Sequence, residues 1–355
     1  MPRLIKLTGV STKKIKSLLF IGRLFLFSGF ISSGMKFKIF TFIVFLFATR
    51  AIFGQTHTTE IGVETDNDSY LLQGSDRYYT DGIFIYYRHA LNVSGSPKLQ
   101  NKVLGFELGQ KIFNPQSGSI ADANGVDQPA AIDRPFAAYL YVGSTLNFLY
   151  KDESSLKLSA QLGVVGPNAY GKQVQDFVHD NFGFYHPSGW EYQINNDYEI
   201  NLSAAYNKLL ARNSWIDLSL ASYVNLGLGF TGAGVGPMVR LGSFNQLFNS
   251  VSTQSTVTQD KNAQLFHKNE FFFYYEPLIN YVAYDATIQG GLFDNHSGLE
   301  ITKDKEPFVL SNEFGVGLTA NRFVFNVAVI LHTLDDKEMV QSHQWGAVTG
   351  FYRFK

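Results

Sequence analysis

The sequence has no cysteine among its 355 residues, which excludes disulfide staples, thiolate metal sites and a thiol nucleophile. Charge is scarce too. Asp, Glu, Lys and Arg make up 17% of the chain and sum to −1, a balance that argues against a nucleic-acid partner. Beyond residue 54 no apolar run reaches the about 20 residues that a membrane-crossing helix needs. There is also no Gly-x-Ser-x-Gly elbow, no His-Glu-x-x-His zinc helix and no phosphate-binding loop. What is plentiful is glycine (32), phenylalanine (32) and tyrosine (19), a composition that is unusual for a soluble enzyme of this size.

The N-terminal region reads as targeting. Lys36 and Lys38 precede an apolar run from Ile39 to Ala48, and small residues follow near Gly54, the pattern of a signal peptide. Met35 stands just ahead of it, so the first 34 residues read as an upstream extension. Residues 1–54 are therefore expected to be extension and signal peptide, and residues 55–355 the mature domain. An uncleaved anchor is the other reading of the apolar run, although the run is short for a span.

Through the mature region, apolar side chains recur at every second position in segments of strand length, which is the period of a half-lipid-facing strand. Strands are predicted near 57–67, 79–91, 101–113, 135–149, 155–166, 190–209, 213–228, 234–246, 266–288, 306–320, 322–334 and 341–355. Twelve is even, and closure leaves no sheet edge bare in lipid. The expected fold is all-β, a twelve-stranded antiparallel outer-membrane β-barrel with a short helix in an outer loop, and a single chain is expected to suffice as a monomer. The last strand ends in alternating aromatics through Phe354, like the recognition strand of outer-membrane barrels. With the N-terminus in the periplasm, the connections near 68–78, 114–134, 167–189 and 289–305 face outward. The Ser/Thr/Gln-rich stretch 247–265 is long for a periplasmic turn and leaves the strand count open. A soluble all-β sandwich or barrel shares this alternation.

Three polar clusters interrupt the pattern on the outward side. Glu64 to Ser69 is dense in oxygen ligands of the kind Ca²⁺ takes, but spacing alone favours a polar turn. Ser75 to Gly82 lies across a short connection from it, so the two ends meet in a hairpin; Thr80 there is either a ligand or an ordinary strand threonine. After Pro167 the period changes. Val174, Phe177 and Val178 are spaced i, i+3, i+4, which predicts a short helix, and on it Gln175 and His179 share a face at i, i+4. One histidine among eight is by itself more often structural.

At these clusters the chain resembles the outer-membrane lipid A 3'-O-deacylase family. The resemblance rests on Asn67-Asp68, on Asp76-Arg77-Tyr78-Tyr79-Thr80-Asp81-Gly82, and on Gly163 through Pro167 to Gln175, His179 and Trp190-Glu191-Tyr192-Gln193-Ile194. It extends more weakly over residues 57–355. It implies a bacterial outer-membrane hydrolase acting on lipid A of lipopolysaccharide, calcium-dependent, with an active site between the barrel wall and a loop helix. Carried over by position, Asn67 and Asp68 are the metal-side pair, Thr80 lies beside them, Gln175 and His179 project from the helix, and His179 is the general base that activates water for ester hydrolysis. A basic residue in the second outer loop belongs to the family pattern. Here Asn114 to Asp133 carries none, which leaves Arg134, at its end, and Arg77 as the candidate substrate-binding cations. Two other readings stay open: an outer-membrane phospholipase with a serine nucleophile, and a non-enzymatic porin-like barrel.

Overall fold

The structure, a computed structural model, describes residues 57–71, 76–294, 296 and 298–355. The expected extension and signal peptide lie outside these residues, as does Ser75 of the second polar cluster. The described chain forms β1 (Thr59–Asn67), β2 (Tyr78–Ala90), β3 (Leu99–Asn114), β4 (Ala137–Tyr150), β5 (Ser154–Val165), β6 (Asp197–Arg212), β7 (Ile216–Gly227), β8 (Phe230–Ser243), β9 (Phe271–Asp285), β10 (Phe308–Ala320), β11 (Phe323–His332) and β12 (His343–Phe354). Each pairs with its neighbours in sequence. The ring closes where β1 meets β12 antiparallel, from Thr59 opposite Phe354 to Asn67 opposite Gly346. Two short helices, α1 (Gly171–Phe182) and α2 (Ala286–Gln289), sit in the connections after β5 and β9.

The wall is apolar on the outside. Ile61, Val63, Ile83, Ile85, Phe106 and Leu108 are all exposed on β1 to β3, while the alternate positions carry Glu60, Arg88, Asn147, Asn201 and Asn280 into a buried, polar lumen. Arg88 pairs there with Glu60 at 3.0 Å. A soluble barrel places its apolar face inward, so the alternation is that of a barrel in lipid. Among the described residues no helix is long and apolar enough to cross a membrane. The long connections 115–136, 166–196 and 286–307 share one end of the barrel, the outward end by the usual asymmetry of loop length.

The stretch 247–265 is not a thirteenth strand. It makes two tight turns, Leu247–Asn249 and Val251–Thr253, and tucks into the opposite end of the lumen. Asn101 and Asn147 donate their side-chain amides to Val257 O (2.8 Å) and Thr253 O (2.9 Å), Thr256 donates to Glu60 (2.5 Å), and Gln259 donates to Ala90 O (2.9 Å). Val257 packs on Ala90, Val103 and Leu149. The Ser/Thr/Gln content that made the segment puzzling as a turn suits a plug, because a polar lumen offers each group a partner. Arg240 of β8 anchors it, bound to Asp217 (2.6 Å), Ser250 Oγ (2.8 Å) and Asn245 O (3.1 Å). Contacts with β1 to β4 on one side and β8 on the other leave the segment lying across this mouth, which weighs against the porin-like reading.

Of the boundaries that differ from expectation, two border the outward loops. β6 begins at Asp197 rather than at 190, because Trp190–Tyr192 forms a tight turn with Trp190 buried. β9 stops at Asp285, whose side chain caps Thr287 N–H (2.8 Å) and starts α2.

Arg240 and Asp217 have no exposed side-chain surface, so removing the cation strands a buried carboxylate, which Arg212 at 3.0 Å only partly neutralises. Arg240→Ala is expected to lower the unfolding free energy of the refolded barrel by about 3 kcal/mol, measured by denaturant titration of its heat-modifiable band.

Candidate active site

The outward loop after β5 is laid against the outside of the wall. Gly166 turns the chain at φ +100°, where a side chain would stand 2.5 Å from Asn195 O, so only glycine fits. Gly171 starts α1 in such close contact with β4 that a Cβ would lie 2.4 Å from Ala138 Cβ. Ile112, Ala138, Ala169, Phe136 and Trp190 form a buried apolar layer between wall and loop. The expected helix is therefore present, extended to Gly171–Phe182, but its inward stripe is polar. Gly171, Gln175 and His179 are buried, whereas Phe177, one of the residues that revealed the helix, is 67% exposed.

A buried Gln and a buried His need partners, and Asp76 supplies one to both. Its Oδ2 accepts from Gln175 Nε2 (2.6 Å) and lies 2.7 Å from His179 Nε2. Gln175 Oε1 accepts from Trp190 Nε1 (2.8 Å), which fixes the amide. His179 Nδ1 faces Tyr185 O at 2.5 Å. A carbonyl only accepts, so Nδ1 donates to it, and the contact of Nε2 with Asp76 at 2.7 Å is a hydrogen bond that shares a second proton between imidazole and carboxyl. Phe184 and Tyr185 close over the imidazole edge-on, with ring centroids 5.5 and 4.8 Å away. Sequence reading gave Asp76, Trp190 and Tyr185 no role. The signal for Asp76 was the donor pair itself, which demands a buried acceptor.

The β1–β2 hairpin supplies the second half. Asn67 stands opposite Asp81 in register and donates its amide to that carboxylate, while its Oδ1 caps Ser69 N–H (2.7 Å). A bulge between Tyr79 and Asp81 shifts the pairing of β2 with β3. Tyr79 accordingly turns into the lumen and donates to Asp66 (2.7 Å), and Thr80 is re-aimed so that its hydroxyl donates to Asp68 Oδ2 (3.2 Å). The same oxygen accepts from Arg77 N–H (2.8 Å). Burial, and then the neighbouring Asp76 charge, push the Asp68 carboxyl up to about 8. Asp68 is buried, and Asp76 and Asp81 lie close enough for their charges to act on it. Oxygen donors in that state fit a hard divalent cation such as Ca²⁺.

Beside this cluster lies an apolar groove of about 380 Å³ between wall and helix, lined by Tyr70, Ile83, Ile112, Val174, Val178 and Phe182, with Asn67 and Asp81 at its polar end. The structure brings Asn67, Asp68, Thr80, Gln175 and His179 to one rim. Arg77 joins them through its backbone. Arg134 does not: it is 1% exposed, donates to Thr287 Oγ1 (3.1 Å), stacks on Phe113 at 4.2 Å and lines the lumen cavity on the other side of the wall. Its charge is taken up inside the barrel, so substrate contact by Arg134 is not what this geometry offers.

A family model described as outer membrane protein LpxR matches residues 39–354. The chain belongs to the LpxR family. This is the outer-membrane lipid A 3'-O-deacylase family that the three clusters resemble, and it makes the chain an outer-membrane lipid A deacylase. The barrel is similar to LpxR from Salmonella typhimurium, with a TM-score of 0.64 at 19% identity over 83% of this chain and 100% of that one. The β domain of the Bordetella autotransporter BrkA aligns with 84% of this chain and 99% of its own at 10% identity and a TM-score of 0.43. No curated protein matches the chain.

In this LpxR-family barrel the wall contact of α1 is what holds the site together. Gly171→Val forces the helix away from Ala138 and Trp190. The expected outcome is faster proteolytic cleavage within 166–196, with unchanged heat modifiability of the barrel, read on gels after limited digestion.

Proposed function

We propose that the chain hydrolyses the ester linking an acyl or 3'-acyloxyacyl chain to lipid A in the outer leaflet, with His179 as general base and with Ca²⁺ held by Asp68 and Asn67. The observation that carries this reading is the adjacency of an acyl-sized apolar groove to the buried His179–Asp76–Gln175 cluster, on the lipid-facing side of the wall.

The acyl chain lies along Val174, Val178, Phe182 and Ile83, an arrangement that buries it as the bilayer would, and its ester reaches the polar end beside Asn67 and Asp81. His179 Nε2 takes a proton from water as the hydroxide so formed attacks the ester carbonyl; the tetrahedral intermediate then breaks its C–O bond to release the fatty acid, and His179 returns the proton to the departing alkoxide of lipid A. For that transfer, water replaces Asp76, which takes the shared proton with it, as the partner of Nε2, while Tyr185 O keeps Nδ1 protonated and the ring oriented. Ca²⁺, when bound, stabilises negative charge on the carbonyl oxygen. Gln175, locked by Trp190, donates to the nearby carboxylate or to the attacking water. Phe184 and Tyr185 must swing off His179 to admit substrate, since the imidazole is buried as it stands. No seryl intermediate is required, consistent with a sequence that has no nucleophile elbow.

His179→Ala is expected to reduce acyl release by at least about 10²-fold while the barrel still folds, measured as the mass of lipid A from cells expressing each form. Near-normal release would remove His179 from the role. Chelation of divalent cations is expected to stop the wild-type reaction and added Ca²⁺ to restore it, whereas Asp68→Ala should need far more Ca²⁺ for the same rate. Indifference to chelator would remove the metal.

A further inference from the structure

On the lumen side of the same wall, a second set of side chains sits at the outer ends of β11 and β12. His332 and His343 are direct partners in the register, with ring centroids 5.4 Å apart and planes at 23°. The connecting loop returns Asp335 between them: Oδ1 is 3.1 Å from His332 Nδ1 and Oδ2 is 3.5 Å from His343 Nε2. His343 is 5% exposed, yet neither of its ring nitrogens has a hydrogen-bond partner; the approach of Asp335 is too long to count as one. An imidazole buried with both nitrogens idle is costly, which marks the spot as built for something else.

We propose that His332, Asp335 and His343 bind a divalent transition ion of the Zn²⁺ class. Tetrahedral ligands at about 2.1 Å from zinc stand about 3.4 Å apart, and the two Asp335 oxygens approach the rings at similar spacings, Oδ1 to His332 at 3.1 Å and Oδ2 to His343 at 3.5 Å. All three ligand atoms lie within 4.8 Å of one another. Two imidazoles with one carboxylate suit a borderline ion; calcium would want oxygen throughout. The rings are already oriented, since Trp345 meets both His332 and His343 edge-on at 5.2 and 5.4 Å and Tyr78 packs on His343 at 5.6 Å. Such outer packing is what holds metal ligands in place. Three protein ligands leave a position open to the lumen cavity of about 460 Å³ that His332, Asp335 and His343 line. Arg134 also lines that cavity and opposes a second cation, but it is itself offset by Asp285, Asp335 and Asp336. The other compact set, Asp294, His296 and Glu300, is occupied by hydrogen bonds from Asn195 to Asp294 (2.9 Å) and Glu300 (2.8 Å) and lacks an idle imidazole.

The site is tested on the refolded full-length mature barrel, stripped with chelator and loaded with Zn²⁺ or Co²⁺. Wild type is expected to retain one equivalent by elemental analysis and to show the visible absorption of tetrahedral Co²⁺, bleached by Zn²⁺. His343→Ala and Asp335→Ala are expected to weaken retention at least tenfold, whereas His179→Ala and His296→Ala leave it unchanged, which separates this site from the catalytic rim. Heat-modifiable migration verifies that each variant is folded. If His343→Ala does not fold, zinc-edge X-ray absorption of the wild type decides: two imidazole scatterers support the site, and a shell of oxygen alone overturns it. Wild type that retains no metal, or a folded His343→Ala that retains as much as wild type, also overturns it.

Discussion

No water reaches the hydrocarbon core of a bilayer, so each backbone amide there must find its partner within the chain. Closure of β1 on β12 meets that demand, and most of the architecture follows from it. A closed wall has two faces only. Lipid takes the apolar one, with Ile61, Ile83 and Phe106, and the polar one turns inward, where Glu60 and Arg88 neutralise each other. Polar groups inside need partners too, and the plug formed by 247–265 provides many of them.

The proposed catalytic group, His179, lies on the outside of the wall, where bare polar side chains would be unsatisfied. The loop after β5 meets that need by packing its Ala169 and Trp190 on Ile112 and Ala138 of the wall and by bonding its buried polar stripe to Asp76. The barrel thereby keeps two polar regions separated by one sheet. Lipid chemistry is suited to the outer one, and the inner one holds Arg134 and the His332–Asp335–His343 group.

The bulge at Thr80 illustrates how little backbone change this needs. One shift of register sends Tyr79 inward to Asp66 and Thr80 outward to Asp68. Without it the strict alternation of β2 would point Thr80 into the lumen.

Periodicity was enough to reveal the twelve strands, because lipid imposes an apolar side chain at every second position over a fixed length, and the change of period after Pro167 was enough to reveal α1. Asn67, Asp68, Gln175 and His179 were legible as polar interruptions on one side of the wall and through family resemblance. Alternation cannot say which way a helix rolls, so the burial of its polar stripe and the exposure of Phe177 came only with packing. Nor does spacing reveal an acceptor 99 residues away from its donor, as Asp76 is from Gln175. Arg134 reads as a loop cation in one dimension, and only the fold of the chain around Phe113 and Thr287 turns it inward. Local period is written residue by residue in the sequence, whereas partners distant along the chain are chosen by closure of the barrel.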